Sequence, residues 1–185
     1  MKNNLPKRKH PRLKEYDYSS TGSYFVTVCT QGRRCVLSRI MEKELGETET
    51  KVVDLRSAEA GNFPHCQIEY TKWGKIAEEQ LLNLEQRFSC LKVDRYVIMP
   101  NHIHVIFVLD GDVLGEKKPY TIMDIVCAYK SLTTLECIKN GFSKKIFQDS
   151  FYEHIIRGNE DYEKAVLYIC ENPLRWHSDK LYANE

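Results

Sequence analysis

The stretch VIMPNHIHVIFVL, residues 97 to 109, constrains the fold more than any other part of the chain, because it sets two histidines in an otherwise apolar run. Residues i and i+2 of a strand share one face, so His102 and His104 are expected to point to the same side. Buried imidazoles require polar partners, and two neighbouring imidazoles can form half of a metal site. The pattern therefore predicts either a metal site or two structural histidines with partners elsewhere in the fold.

The same stretch predicts a pair of strands. KVDRYVIMP and HIHVIFVL meet at Pro100-Asn101, a turn-forming pair, so the two segments are expected to form an antiparallel hairpin. Four further segments are predicted as strands, the clearest of which alternates and is rich in β-branched and aromatic residues. They are SYFVTVCT (23 to 30), RCVLSRI (34 to 40), CQIEY (66 to 70) and FYEHIIRG, of which the last is either a short strand or an extended piece.

Three helices are predicted from apolar residues at helical spacing. The first follows Thr71. The second begins at a capping box of Thr121 and Asp124 and carries apolar residues as far as Leu135. The third is expected to be capped by Asn159 and stopped by Pro173. This order of elements predicts an α+β sandwich in which helices pack on a largely antiparallel sheet.

The composition is ordinary for a globular protein: 42% of the 185 residues are hydrophobic and 29% are charged. We expect one domain over residues 1–185, with a basic N-terminal arm at 1–15 and a hairpin insertion around 41–65. No apolar run approaches the roughly 20 residues that a membrane helix needs, and the N-terminus lacks the apolar core of a signal peptide. We therefore expect a cytoplasmic protein that makes no use of a membrane.

The cysteines and the charges narrow the choice of partners. Seven cysteines without a C-x-x-C pair argue against a zinc cluster and are typical of free thiols in a reducing compartment. The net charge of +1 gives no overall field that would attract nucleic acid. A basic cluster near the start of the chain is expected either to contact phosphates or to be simply solvated. It consists of Lys7, Arg8, Lys9, Arg12 and Lys14.

The third helix carries a tyrosine and an amide outside its apolar stripe. Tyr168 and Asn172 lie on one flank, and because they are four residues apart their side chains are neighbours. Half-buried packing and a helix C-cap would explain them. Beside the histidine pair, however, an amide oxygen could complete a site for a divalent ion, and the phenol could act as a nucleophile. Mg²⁺ prefers oxygen ligands, whereas Mn²⁺ tolerates imidazole well.

With these motifs identified, the chain resembles the REP-associated tyrosine transposases, in the single-tyrosine branch of the HUH (His, hydrophobic, His) endonucleases. The resemblance rests on the order and spacing of several segments and covers most of the chain. They are RLKEYDYSSTGSYFVTVCTQGRRCVL, TKWGKIAEEQ, VDRYVIMPNHIHVIFV, IVCAYKSLTT and FYEHIIRGNEDYEKAVLYICENPLRW.

The resemblance implies a ferredoxin-like fold that recognises a DNA hairpin and cuts the single strand beside it. It implies that His102, His104 and Asn172 bind Mg²⁺ or Mn²⁺. It also implies that Tyr168 is the nucleophile, which forms a 5′-phosphotyrosine adduct and leaves a free 3′-OH for rejoining. The expected partner is single-stranded or hairpin DNA, and the expected location is the cytoplasm, in association with the nucleoid.

Some residues depart from the family pattern or stay ambiguous. Phe147 stands where relatives usually carry tryptophan, and Asp149 where they usually carry arginine, which could alter the hairpin that is bound. Tyr129 lies on the apolar face of the second helix and is predicted to pack there. Lys130 is predicted to contact DNA, although a solvated position is the alternative. His154 is predicted to be a structural histidine, and an accessory role in the site is the second alternative.

Three functions remain open on the sequence alone. The first is a transposase or endonuclease that cleaves and joins DNA through a tyrosine. The second is a protein of the same ancestry that binds hairpins without cutting them. The third is an unrelated hydrolase in which the histidine pair holds a metal that activates water. The oligomeric state is also open between a monomer and a homodimer.

Overall fold

A computed structural model of the chain describes residues 15–42, 66–110 and 120–182. The basic cluster predicted at the N-terminus and residues 43–65 of the predicted insertion lie outside these described residues. None of the helices in the described ranges is both long and apolar enough to cross a membrane.

A four-stranded antiparallel sheet forms the centre of the described structure. Its strands are β1 (Gly22–Cys29), β4 (Leu91–Ile98), β5 (His102–Leu109) and β6 (Tyr152–Ile156), in the order β4-β5-β1-β6. A separate antiparallel pair consists of β2 (Ser38–Glu42) and β3 (Cys66–Tyr70). The predicted hairpin is confirmed, with Val97 opposite His104 across β4 and β5.

The helices are α1 (Lys72–Leu82), the short α2 (Leu84–Arg87), α3 (Ile122–Lys139) and α4 (Gly158–Glu171). The order β1, α1, β4, β5, α3, β6 around this sheet is the split βαβ arrangement of a ferredoxin-like fold. The α+β prediction is therefore confirmed, with β2 and β3 added between β1 and α1.

The alternation along β5 divides the core into two layers. Ile103, Val105 and Phe107 pack on the side that holds the buried residues of α1 and α3. Ile106 packs on the opposite side, with Val166 and Ile169 of α4. Because residues i and i+2 share a face, His102 and His104 belong to the face that α4 covers.

Of the two predicted helix N-caps, the one at the start of α3 is confirmed and the one at the start of α4 is wrong. The capping box of Thr121 and Asp124 is present at the start of α3. The predicted cap of the third helix at Asn159 is wrong, since α4 begins at Gly158 with Arg157 in the cap position. The backbone N–H of Arg157 donates to a carboxylate oxygen of Asp161 over 2.8 Å, so an acidic residue inside the first turn satisfies this end.

Two further predictions need correction. The strand expected over 34–40 begins only at Ser38, because the carbonyl of Leu37 instead accepts the N–H and hydroxyl of Thr71 at the start of α1. Leu135 does not belong to the core, since 57% of it is exposed. The buried stripe of α3 runs through Tyr129, Thr133 and Cys137, which places Leu135 on the far side of the helix.

Candidate active site

The histidine pair lies buried at the centre of the sheet. His102 and His104 are 0% and 2% exposed, and their ring centres lie 4.5 Å apart. His104 pairs directly with Thr27 of β1, and His102 pairs with Cys29. Both histidines thus lie on β5, an inner strand of the sheet that pairs with β1 and β4. They share one face of this strand, as the sequence pattern predicts.

Each imidazole is oriented by a hydrogen bond at Nδ1. The Nδ1 atom of His102 lies 2.8 Å from Oδ1 of Asn101, and that of His104 lies 2.8 Å from Oγ1 of Thr27. The amide oxygen can only accept, so Nδ1 of His102 carries the proton and its Nε2 keeps a free lone pair. Outer hydrogen bonds of this kind orient the histidines of metal sites.

Four buried side-chain atoms in this region have no hydrogen-bond partner. They are Nε2 of His102, Nε2 of His104, Oδ1 of Asn172 and Oδ2 of Asp179, and they are the full set of such atoms within residues 15–42, 66–110 and 120–182. Buried polar atoms are nearly always paired, so each unpaired one requires an explanation. A cation held by lone pairs would account for all four at once.

The donor atoms are close enough to share one ion. The ligand atoms of His102, His104 and Asp179 all lie within 4.8 Å of one another, and His102 Nε2 is 3.8 Å from Asp179 Oδ2. Two imidazole nitrogens with oxygen ligands suit Mn²⁺ better than Mg²⁺, which prefers oxygen alone. The residues present therefore fit a divalent ion.

Burial keeps the histidines in the form that binds metals. It lowers the pKa of His102 to about 4, although the nearby carboxylate of Asp179 works in the opposite direction. Burial also lowers the pKa of His104, and the neighbouring His102 adds to this effect. Neutral imidazoles offer a lone pair, so both residues are ready to bind a metal at neutral pH.

Tyr168 lies at the edge of this cluster and remains accessible. It is 47% exposed, and its ring centre is 5.1 Å from that of His104 and 5.8 Å from that of Phe25. The ring of Phe25 stacks on His104 at 5.2 Å. Partial burial raises the pKa of Tyr168 and the charge of Asp179 raises it further, whereas a hydrogen bond with Asn172 lowers it. The phenol is thus held in place and reaches solvent.

Asn172 is buried, at 4% exposure, and forms the C-cap of α4, the alternative role that the sequence pattern left open for it. Its backbone is helical, with a φ of −56° and a ψ of −44°, although the residue before a proline usually avoids this region. The chain continues in a further turn, in which the N–H of Arg175 donates to the carbonyls of Glu171 and Asn172. This turn keeps the amide facing the histidines.

Sequence reasoning missed two residues of the site. Asn101 appeared only as a turn residue, but it orients His102, and its amide also donates to the carbonyl of Leu181 over 2.8 Å. Its position directly before the histidine pair was the available signal. Asp179 follows the short helical turn Trp176–Ser178, in a segment that has no periodic pattern, so nothing in the sequence marked it.

The remaining predicted residues lie elsewhere. Lys130 is only 8% exposed, and its Nζ donates to the backbone carbonyl of Asp149 over 2.7 Å, so its contact with DNA stays a prediction. Tyr129 is buried as predicted, and its hydroxyl donates to the carbonyl of Ala77. His154 pairs with Asp161 at 2.9 Å and is exposed. Arg8, Lys9, Arg12 and Lys14 lie outside the described residues.

A cleft of about 840 Å³ opens beside Tyr168. Its lining contains aromatic and basic side chains as well as two residues of the buried cluster, His104 and Asp179. Among the aromatic residues are Phe25 and Tyr152, and the basic residues are Arg33, Lys164 and Lys180. The accessible phenol therefore borders the same cleft as two residues of the buried cluster.

We compared the chain with known protein families, sequences and solved structures. A comparison with models of protein families finds no match. An uncharacterized protein of Haemophilus influenzae is 28% identical over 192 residues, which cover 96% of this chain and 94% of that protein. A transposase candidate from Deinococcus radiodurans aligns over 89% of this chain and 98% of its own with 13% identity, but its TM-score of 0.44 is too low to establish a common fold.

The fold is shared with a solved structure. It is that of a REP-associated tyrosine transposase bound to a REP hairpin, and it covers 88% of this chain and 74% of its own at a TM-score of 0.53 and 21% identity. The likeness confirms the predicted fold. It assigns no role to individual residues. The chain therefore has the fold of a REP-associated tyrosine transposase.

Proposed function

We propose that the protein is a metal-dependent transposase or endonuclease that cuts single-stranded DNA beside a hairpin and rejoins it through a 5′-phosphotyrosine. The observation that carries this proposal is the placement of an accessible phenol next to four buried, unpaired donor atoms. In a purely structural cluster the buried donors would be expected to pair with one another or with neighbouring groups.

Four residues of the site have roles in the proposed reaction. His102, His104 and Asn172 would hold Mg²⁺ or Mn²⁺, which when bound supplies positive charge that stabilises the phosphate oxygens. The phenolic oxygen of Tyr168 attacks phosphorus, and the bond from phosphorus to the 3′-oxygen breaks. The proton of the phenol is lost to solvent, and the departing oxygen takes one up to become a 3′-OH. Attack by a 3′-OH on the adduct reverses these steps and releases the phenol.

The cleft supports single-stranded DNA as the substrate. Aromatic faces can stack on bases, and basic side chains can neutralise phosphates, which together are the means by which proteins hold single strands. The arm residues Arg8, Lys9, Arg12 and Lys14, and Lys130 on α3, are the further contacts that we propose for the hairpin. A chain that works as one domain, either as a monomer or as a homodimer at the nucleoid, is consistent with these roles.

Incubation of the protein with a single-stranded hairpin substrate and Mn²⁺ tests the proposal. Denaturing electrophoresis should show a protein–DNA band together with a free DNA fragment that ends in a 3′-OH. Cleavage without a covalent band would indicate a metal-dependent hydrolase instead. A mobility shift without cleavage would indicate a hairpin-binding protein.

A further inference from the structure

The segment that follows α4 places a carboxylate in the buried cluster. The side chain of Asp179 is 3% exposed, and its Oδ2 atom points towards His102 without a hydrogen-bond partner. The other oxygen, Oδ1, accepts the backbone N–H of Leu181 over 2.6 Å. The first oxygen is therefore free to bind a ligand while the second fixes the side chain.

A buried carboxylate with an unpaired oxygen is costly, because the loss of hydration is not compensated. His102 does not remove this cost. Its Nε2 atom is 3.8 Å away, beyond hydrogen-bond range, and its Nδ1 atom is hydrogen-bonded to Asn101 instead. A divalent cation between the two side chains would satisfy both atoms.

The position of Asp179 is also secured from the strand side. Asn101 accepts a hydrogen bond from Nδ1 of His102 and donates one to the carbonyl of Leu181, two residues beyond Asp179. A single side chain thus fixes one histidine and the segment that carries the carboxylate. This arrangement fixes the position of Asp179 relative to His102.

We propose that Asp179 is a fourth protein ligand of the metal, beside His102, His104 and Asn172, and that it supplies the only negative charge of the set. This inference rests on the proposed function. Two imidazoles and an amide are neutral and form a weak site, whereas one carboxylate adds charge attraction to the ion. The resulting set of two nitrogens and two oxygens favours Mn²⁺ over Mg²⁺.

Calorimetric titration of the full-length protein with MnCl₂, without DNA, tests the proposal. Asp179→Asn keeps the Oδ1 acceptor for Leu181 and removes the charge, so the affinity for Mn²⁺ should fall at least about tenfold, the lower end of the loss seen for supporting residues of metal sites. Asp149→Asn is the matched control, because the side chain of Asp149 is 92% exposed, and its affinity should equal that of the wild type. Equal affinities in Asp179→Asn and the wild type would overturn the proposal.

Two measurements separate loss of a ligand from loss of the fold. Without metal, Asp179→Asn should melt at or above the temperature of the wild type, because an unpaired buried charge is gone, and added Mn²⁺ should raise its melting temperature less. Asp179→Cys should bind Cd²⁺ more tightly than the wild type, whose own seven cysteines give the background. No gain of Cd²⁺ affinity in a folded Asp179→Cys variant would contradict direct ligation.

The test of Asp179 as a metal ligand can fail or succeed independently of the proposed DNA cleavage. Mn²⁺ binding that depends on Asp179, in a protein that forms no DNA adduct, would support the fourth ligand and count against the proposed function. Adduct formation by the wild type, with an unchanged Mn²⁺ affinity in Asp179→Asn, would support the function and overturn the fourth ligand.

Discussion

The ring of Tyr168 lies 5.1 Å from the ring of His104, centre to centre, with the two planes at 71°. One residue belongs to a helix and the other to a central strand of the sheet. The contact brings an accessible phenol to the edge of a buried cluster of unpaired donor atoms. The proposed reaction requires its nucleophile beside the metal, and the fold places the ring of Tyr168 beside the histidine pair.

Replacement of either histidine should abolish metal binding without unfolding the protein. His104→Ala leaves a cavity and takes away the partner of the Thr27 hydroxyl, but it also removes a buried nitrogen that has no partner, so the effects on stability oppose each other. Calorimetry with Mn²⁺ should show no binding, and DNA cleavage should be lost. His154→Ala is the control, because His154 is exposed and pairs with Asp161; its affinity for Mn²⁺ should be unchanged. Undiminished cutting by the His102→Ala, His104→Ala double variant would exclude the proposed metal site.

Asn101→Ala should weaken both the fold and the site. It removes the partner of His102 Nδ1 and of the Leu181 carbonyl, which should cost about 1–3 kcal/mol of unfolding free energy. Loss of an orienting residue should also lower metal affinity by roughly 10–100-fold. Urea unfolding and calorimetry measure the two effects, with exposed Asn83→Ala as the control. A destabilised variant with full Mn²⁺ affinity would show that His102 does not depend on this residue.

Gly74→Ala tests the packing of α1 on the segment before β2. A Cβ atom at Gly74 would lie 2.0 Å from the carbonyl oxygen of Leu37, so the backbone would have to move. The loss should be about 1–3 kcal/mol of unfolding free energy or more. Gly22→Ala is the matched control, since its added Cβ would meet only ordinary contacts at 3.8 Å and beyond. Equal stabilities of the two variants in urea would contradict this packing.

The basic arm gives a prediction about salt. Deletion of residues 1–14 removes Lys7, Arg8, Lys9, Arg12 and Lys14. If they neutralise phosphates, binding to a DNA hairpin should weaken, and the slope of log affinity against log salt concentration should become shallower. Fluorescence anisotropy at several salt concentrations measures both. The same slope before and after deletion would mean that the arm is only solvated.

The shared face of the two histidines could be predicted from the sequence because a period-two pattern is local. Ile103 and Val105 alternate with His102 and His104, so one strand assigns both imidazoles to a single face without knowledge of the rest of the fold. The helical spacing of Tyr168 and Asn172 predicted that they are neighbours for the same reason. The four residues could be found because each pair lies within one element.

The parts of the site that depend on tertiary contacts could not be predicted in this way. Asp179 reaches His102 from a non-periodic segment far along the chain, and no pattern of spacing encodes that approach. The burial of Lys130 is similar, because its partner is a backbone carbonyl of a loop beyond α3. Leu135 shows the reverse case, in which an apolar residue at approximate helical spacing faces solvent.

Tyr168→Phe isolates the hydroxyl group. The variant keeps the ring that contacts His104 and Phe25, so its stability should remain within roughly 0.5–1.5 kcal/mol of the wild type, the worth of one hydrogen bond. The covalent DNA adduct should disappear. Tyr129→Phe is the control, since that hydroxyl is buried and donates to Ala77; this variant should still form the adduct.

Peptide mass spectrometry of the trapped adduct tests the central claim most directly. Wild-type protein incubated with a single-stranded hairpin substrate and Mn²⁺ should yield one peptide that carries a 5′-phosphonucleotide, and fragmentation should place it on Tyr168. Location of the nucleotide on Tyr129 or another residue, or DNA cleavage with no modified peptide, would contradict the account.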